Sequence, residues 1–262
     1  MEIIKFMVVL QKHFPWNNIG YSGQYSAVRK SNDKYWSEIW KSLSINNDSN
    51  DSSFVLDLGS GPGLLRSWGL RNNIFCDIVS LDKSIRMLEK VEFYSNGKGS
   101  VCADAASLPF CSNSFDGIVI SNFLHCVEVT NSFVFRLLYV LKHGCNIAVS
   151  IASSEKLRNY WEYEYFPSAM SFDLGRLPSI VDIIMAFERA GAHLQDNKQI
   201  ILEERVFDSQ FIERTKKRHM SALWAISDDE FNRGIRSMQN DLECKSSLKQ
   251  VISLELLVFK KK

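Results

Sequence analysis

Long apolar runs are missing from this chain: no stretch reaches the roughly 18 apolar residues a bilayer span requires. A dominant charge is missing too. The 31 Lys and Arg nearly balance the 30 Asp and Glu, for a net charge of +1, with no long single-sign block. That argues against a polybasic membrane anchor and against a generic nucleic-acid coat. The six cysteines, at 76, 102, 111, 126, 145 and 244, form no C-x-x-C pair. They read as reduced, buried thiols of a cytoplasmic protein. His13, His125, His143, His193 and His219 lack ligand spacing with cysteine or acid, so no metal site is expected. Neither a G-x-S-x-G elbow nor a phosphate loop occurs, nor any repeat or low-complexity linker. The apolar start, Ile3 to Leu10, is interrupted by Lys5 and followed by no small-residue cleavage site. It does not read as a signal peptide.

What is present starts with an apolar strand, Phe54 to Leu58, that opens into Gly59-Ser60-Gly61-Pro62-Gly63. A helical run, Leu64 to Trp68, follows. Such a strand–glycine loop–helix unit lets a nucleotide-like ligand lie against bare backbone. The dinucleotide fingerprint is G-x-G-x-x-G. Here the spacing is G-x-G-x-G, and Leu64 stands where the third dinucleotide glycine would be. Asp57 adds an anion that a diphosphate would avoid and an ammonium group would seek. The ligand implied is nucleoside-like, cationic at an amino-acid end and free of phosphate. S-adenosylmethionine fits.

The core alternates β-rich and helical runs, which predicts a parallel α/β sheet with helices on both faces. Strands are expected over about 54–58, 75–81, 99–103, 115–121 and 145–152, with later ones at 199–206 and 250–259. Helices are expected over 63–72, 84–92, 130–142 and 179–190, the last capped by Ser179 and ended by Gly191. Tyr35, Trp36, Ile39, Trp40 and Leu43 recur at helical spacing ahead of a polar loop, Asn46 to Ser53. Residues 153–178 carry six aromatics. Residues 207–245 read as two helices, the second opening on a capping box, Ser227-Asp228-Asp229-Glu230.

Asp57 to Gly63 resembles motif I of the class I S-adenosylmethionine-dependent methyltransferases. Further landmarks follow in that family's order. Ile78 to Asp82 is a second strand ending in an acid, 25 residues beyond Asp57. Cys102-Ala103-Asp104-Ala105 ends a third, Phe115 to Asn122 is a fourth, and Leu138 to Gly144 resembles the turn before the fifth. The likeness covers about residues 50–155 and is nearest the small-molecule branch that includes ubiquinone and menaquinone biosynthesis methyltransferases. It implies a Rossmann-like, doubly wound, seven-stranded sheet, mostly parallel with a reversed last strand. The whole chain, 1–262, reads as one domain. Its core is about 51–152, 179–206 and 249–260, under a helical cap from about 1–45, 153–178 and 207–245.

Several roles follow. Gly59, Ser60, Gly61 and Gly63 cradle the cofactor, and Asp57 faces its amino-acid end. Asp82 suits the ribose hydroxyls, since one carboxylate accepts two hydrogen bonds; its rival role is a helix cap near Ser84. Asp104 and the Ala105 N–H suit adenine, and Lys83 flanks them. Asn122 is a cofactor contact, and His125 is a weak candidate general base. Tyr25 and Arg29 resemble the N-terminal tyrosine and arginine of relatives that close on the cofactor carboxylate. Tyr160, Trp161, Tyr165 and Phe166 either line an apolar acceptor pocket or anchor the cap. The expected reaction is in-line displacement of the methyl group onto a small-molecule acceptor. RNA or protein methylation, or cofactor binding without catalysis, are the alternatives. Asn122 is not followed by the Pro-Pro-aromatic run of base-amino methylating enzymes. Arg214 to His219 is the one basic cluster, open to a phosphate or a plain solvated face. The oligomeric state is not readable.

Overall fold

The computed structural model describes residues 32–45, 53–91 and 99–262. Two compact units emerge. The larger comprises residues 31–151, 178–200 and 255–262; the smaller includes 152–177 and 201–254.

A seven-stranded sheet has the order β3-β2-β1-β4-β5-β7-β6. Its strands are β1 (Ser53–Leu58), β2 (Cys76–Asp82), β3 (Ser100–Cys102), β4 (Phe115–Ser121), β5 (Leu141–Ile151), β6 (Ala192–Val206) and β7 (Lys249–Lys261). β1 pairs in parallel with β2 and β4, β2 with β3, and β4 with β5. β7 runs antiparallel to β5, the reversed strand the family resemblance implied. β1 and β4 are buried almost throughout, as strands covered on both faces must be. Asp57 is the exception in kind, a carboxyl 3% exposed on a strand of apolar neighbours.

Helices of this unit are α1 (Asp33–Ser42), α2 (Leu64–Arg71), α3 (Ile85–Leu88), α4 (Asn131–Val140) and α8 (Ile180–Arg189). Ser179 caps α8 as expected, its hydroxyl accepting the Asp182 N–H at 3.0 Å. α1 clusters with the sheet unit, although residues 1–45 were expected to belong to a cap. Its Tyr35 hydroxyl is buried 2.7 Å from Ser121 Oγ and 2.5 Å from Ser150 Oγ, which ties the helix to β4 and β5.

Three boundaries differ from expectation. α3 covers only Ile85–Leu88 of the expected 84–92. β5 starts at Leu141, not 145, because a register shift opposite Phe115 and Gly117, with Gly144 at φ 74°, carries the chain from α4 straight into the strand. β6 starts at Ala192 rather than 199. As an edge strand it exposes polar residues such as Gln195 and Asp196, which hides it from an apolar pattern.

The smaller unit holds α5 (Ser154–Leu157), α6 (Trp161–Tyr165), α7 (Pro167–Arg176), α9 (Ser209–Lys216), a 3-10 turn (Ser221–Trp224) and α10 (Asp228–Lys245). Residues 153–178 are thus three short helices, whose breaks explain their poor periodicity. Phe166, fully buried, stacks on Phe231 at 5.6 Å. α10 lies so close that a Cβ on Gly234 would stand 2.1 Å from the Phe166 ring, so only glycine fits there. Half of the expected capping box forms. Ser227 Oγ accepts the Glu230 N–H, but the Glu230 carboxylate accepts the Ser168 N–H instead.

At the centre of this unit Glu162, fully buried, receives a two-pronged contact from Arg205 at 2.6 and 2.8 Å. Arg205 also donates to Gln250, and Tyr160, Trp161 and Phe211 pack their rings around its guanidinium. Burial alone would raise the Glu162 carboxyl; the Arg205 charge and the His219 hydrogen bond outweigh it and hold it well below the usual range. Burial lowers His219, against the hydrogen bond and charge of Glu162; its Nε2–H donates to Glu162 at 2.9 Å, and its Nδ1 has no partner among the described residues.

The six cysteines are unpaired. None is buried, contrary to expectation: Cys102, Cys111 and Cys244 are exposed, and Cys102 ends the edge strand β3.

Candidate functional site

In open α/β sheets ligands bind at the carboxyl ends of the strands where the strand order reverses. Here that point lies between β1 and β4. The chain leaves β1 through Gly59 at φ 69°, Gly61 at φ 52° and Gly63 at φ 75°, all left-handed. The Gly59 and Ser60 N–H groups both donate to the Leu81 carbonyl, at 2.8 and 3.0 Å, which locks the loop onto the end of β2. A Cβ on Gly59 would sit 2.1 Å from the Phe123 ring. Phe123, in the turn after β4, therefore forms the floor of the loop. Sequence reasoning missed it, since nothing local links residue 123 to residue 59.

Asp82 receives the Gly61 N–H at 2.9 Å on one oxygen and the Ser84 N–H at 2.8 Å on the other. Ser84 itself caps α3. Each carboxylate oxygen keeps a second lone pair, so two ribose hydroxyls can still be accepted. Burial raises the Asp82 carboxyl, and the Ser84, Gly61 and Lys83 N–H groups oppose that. Asp82→Ala removes both the acceptor and the brace. We expect cofactor affinity to fall by about 1.5–3 kcal/mol and folding stability by about 1–2 kcal/mol. Calorimetry and thermal melts check this; an unchanged dissociation constant would take Asp82 out of the site.

Asp57 is pushed up to about 7, by burial first and then by the charge of Asp82. Beyond β3, Asp104 Oδ2 takes the Lys83 ammonium at 2.7 Å and Oδ1 takes the Ala106 N–H. The Lys83 hydrogen bond, then that N–H, hold Asp104 below its ordinary value. Ala105 beside it is buried. Asn122 adopts φ 49° and donates its N–H to the Ser150 carbonyl, which fixes the turn at the end of β4. His125 lies in a 3-10 turn, Leu124–Cys126, half-buried.

Two observations test whether a nucleoside with a cationic end fits. Among the described residues Ser60 Oγ is buried without a hydrogen-bond partner, and a Cβ on Gly61 would meet nothing within 4 Å. The loop therefore offers open backbone, an unspent hydroxyl and a buried carboxyl poised to ionise beside a cation. The donor set fits S-adenosylmethionine.

The sheet unit thus brings together Asp57, Gly59, Ser60, Gly61, Gly63, Asp82 and Asn122 around the switch point, with Lys83, Asp104 and Ala105 past the ends of β2 and β3. Tyr25 and Arg29 lie outside the described residues. Phe166 and Tyr165 are interior residues of the helical unit, and the Tyr165 hydroxyl donates to Asp241 at 2.9 Å. That packing fits the anchoring alternative. Tyr160 and Trp161 are half-buried. Most of the basic cluster pairs with acids: Arg214 with Glu203, Lys216 with Glu213, Arg218 with Asp228, and His219 with Glu162, while Lys217 is exposed and forms no ion pair among the described residues. Among the described residues no group of acids, histidines and cysteines could hold a metal, and no helix is long and apolar enough to cross a membrane.

Residues 56–149 match the family model described as a methyltransferase domain. Solved structures share the fold. One is a candidate methyltransferase from an antibiotic biosynthesis pathway of Anabaena variabilis, 14% identical, TM-score 0.69, over 88% of this chain and 99% of that one. Another is a Haloferax volcanii complex of the Trm112 methyltransferase activator with a candidate methyltransferase, 17% identical, TM-score 0.58, over 95% and 98%. A third is the Haemonchus contortus phosphoethanolamine N-methyltransferase 2, in complex with phosphomonomethylethanolamine and S-adenosylhomocysteine. It is 15% identical, TM-score 0.52, over 86% of this chain and 52% of that one. No curated protein matches the sequence significantly.

Proposed function

We propose that this chain, an S-adenosylmethionine-dependent methyltransferase, methylates a small-molecule acceptor in the cytoplasm. The observation that carries the acceptor class is the internal pairing of Arg214, Lys216, Arg218 and His219. Within that cluster only Lys217 is left without an ion pair among the described residues, which is little charge for a nucleic-acid backbone. The Haemonchus neighbour, bound to a small phosphorylated amine, is consistent with such an acceptor. The finer reading is the branch that includes ubiquinone and menaquinone biosynthesis enzymes.

The sulfonium of the bound cofactor makes its methyl group electrophilic, and transfer is an in-line displacement. The chain's task is alignment, which is worth on the order of 7–11 kcal/mol at best. Asp57 holds the ammonium end, Asp82 the ribose, Asp104 and the Ala105 N–H the adenine, and Ser60 spends its free hydroxyl on the ligand. Asn122 shapes the turn at the end of β4 and would contact the cofactor there. His125 takes a proton where the acceptor is a hydroxyl. Tyr160, Trp161, Tyr165 and Phe166 are the candidate acceptor-lining aromatics, with anchoring of the helical unit as their alternative role, and Tyr25 and Arg29 are closing residues over the cofactor carboxylate.

Calorimetry is expected to show micromolar-range binding of S-adenosylhomocysteine and none of NAD. Incubation of the enzyme with radiolabelled cofactor and a cell extract then tests the acceptor. Label is expected in the low-mass fraction. Label in RNA or protein would overturn the small-molecule reading, and tight NAD binding without S-adenosylhomocysteine binding would overturn the cofactor assignment.

A further inference from the structure

We infer that the outer face of α4 and α8 is the docking surface for a second copy of this chain, related by a two-fold axis. The two helices pack against each other. Their inner faces belong to the core: Phe133, Val134 and Leu137 of α4 are buried, and Phe187 of α8 stacks on Phe259 of β7 at 4.1 Å. Their outer faces ought to be polar. Instead Phe135 is 53% exposed, Tyr139 58%, Val181 63% and Met185 40%. Each helix contributes an i, i+4 pair, so the four side chains stand as two adjacent stripes. Scattered exposed apolar residues need no explanation, but a contiguous patch of large ones marks an interaction site.

The charges around the patch select the occupant. Arg136, Asp182, Glu188 and Arg189 are all exposed. Among the described residues Arg136, Glu188 and Arg189 form no ion pair, and Asp182 bonds only to its own helix cap, Ser179. Two cations and two anions sum to zero, so nothing here favours an anionic membrane or a nucleic acid. A surface that carries unpaired charges of both signs can complement its own copy wherever a two-fold axis sets unlike signs together. A two-fold contact places the same patch against its own copy, with residue i on j and j on i. It joins the apolar stripes and sets the arginines of one copy against the acids of the other.

The size of the patch sets the strength. Ten-residue helices are about 15 Å long and pack about 8–10 Å apart, a footprint below the roughly 800 Å² per partner of a standard interface. A small footprint of this kind fits a weak, concentration-dependent dimer rather than a permanent one.

Sedimentation equilibrium on the full chain, from low micromolar to a few hundred micromolar, is expected to show monomers passing to dimers. Two double variants test the pairing, Arg136→Glu with Arg189→Glu, and Asp182→Lys with Glu188→Lys. Each makes the face single-signed and is expected to stay monomeric alone, with a wild-type-like melting temperature as the control for folding. Mixed together they are expected to associate at least as tightly as the wild type. A wild-type chain monomeric throughout overturns the inference. So do variants that dimerise unchanged, or a mixture that does not associate. Wild-type monomers that pellet with phosphatidylcholine vesicles would overturn it in favour of a membrane surface.

Discussion

Asp57→Asn is expected to make the ligand-free protein more stable at pH 8 and to cripple cofactor binding. The carboxyl is 3% exposed and is pushed up to about 7 from an ordinary 3.8, by burial and by the charge of Asp82. A folded-state pKa above the unfolded one means that the native state binds the proton more tightly. Stability then falls as pH rises from about 4 to about 7, and stays low above that. A shift of that size corresponds to a cost on the order of 4 kcal/mol for holding the charge. Asparagine removes the charge, so a gain of about 2–4 kcal/mol is expected at pH 8, several degrees in melting temperature. At pH 5, where Asp57 is already protonated, most of the gain should vanish. Cofactor affinity should move the other way, falling by about 1.5–3 kcal/mol with the loss of a charged contact. For the same reason the wild type should bind S-adenosylmethionine more tightly at pH 8 than at pH 6. Melts at both pH values and calorimetry check all three results. A variant that melts lower at pH 8 and binds as the wild type does would sink the assignment.

The second large effect belongs to the helical unit. Glu162→Ala strips the Arg205 guanidinium, 8% exposed, of its two-pronged carboxylate, leaving only the longer contact to Glu203 at 3.8 Å and the Gln250 hydrogen bond, and leaves His219 Nε2 without its acceptor. Breaking one side of a buried pair costs about 3–5 kcal/mol, because the remaining charge stays desolvated. Replacing both members by apolar groups, Glu162→Leu with Arg205→Met, should recover part of that loss. Denaturant titrations of the two single variants and the double measure it. A loss under about 1 kcal/mol, the size of an exposed pair, would show that the network is solvated. The pH dependence has a definite sign. The depressed Glu162 contributes stability above the ordinary carboxylate range, and this is lost only in strongly acid solution, as pH falls through its much lower folded value.

These two sites divide by how they could be known. The sequence alone determined the alternation of strand and helix, the glycine loop after the first strand and the placing of Asp57, Asp82 and Asp104 at or near strand ends. Each depends on short-range chemistry: burial runs, backbone freedom and a fixed spacing along the chain. Helix caps at Ser179 and Ser227 were legible for the same reason. Tertiary structure decided what each group touches. Asp82 braces Gly61 across 21 residues, Phe123 underlies Gly59 across the sheet, and Tyr35 bonds to Ser121 and Ser150. It also decided that Arg214, Lys216, Arg218 and His219 pair with acids. The edge strand β6 was misjudged because an edge need not alternate in hydrophobicity. Burial, charge pairing and a shifted carboxyl are sums over neighbours distant in sequence, and only the folded chain assembles those neighbours.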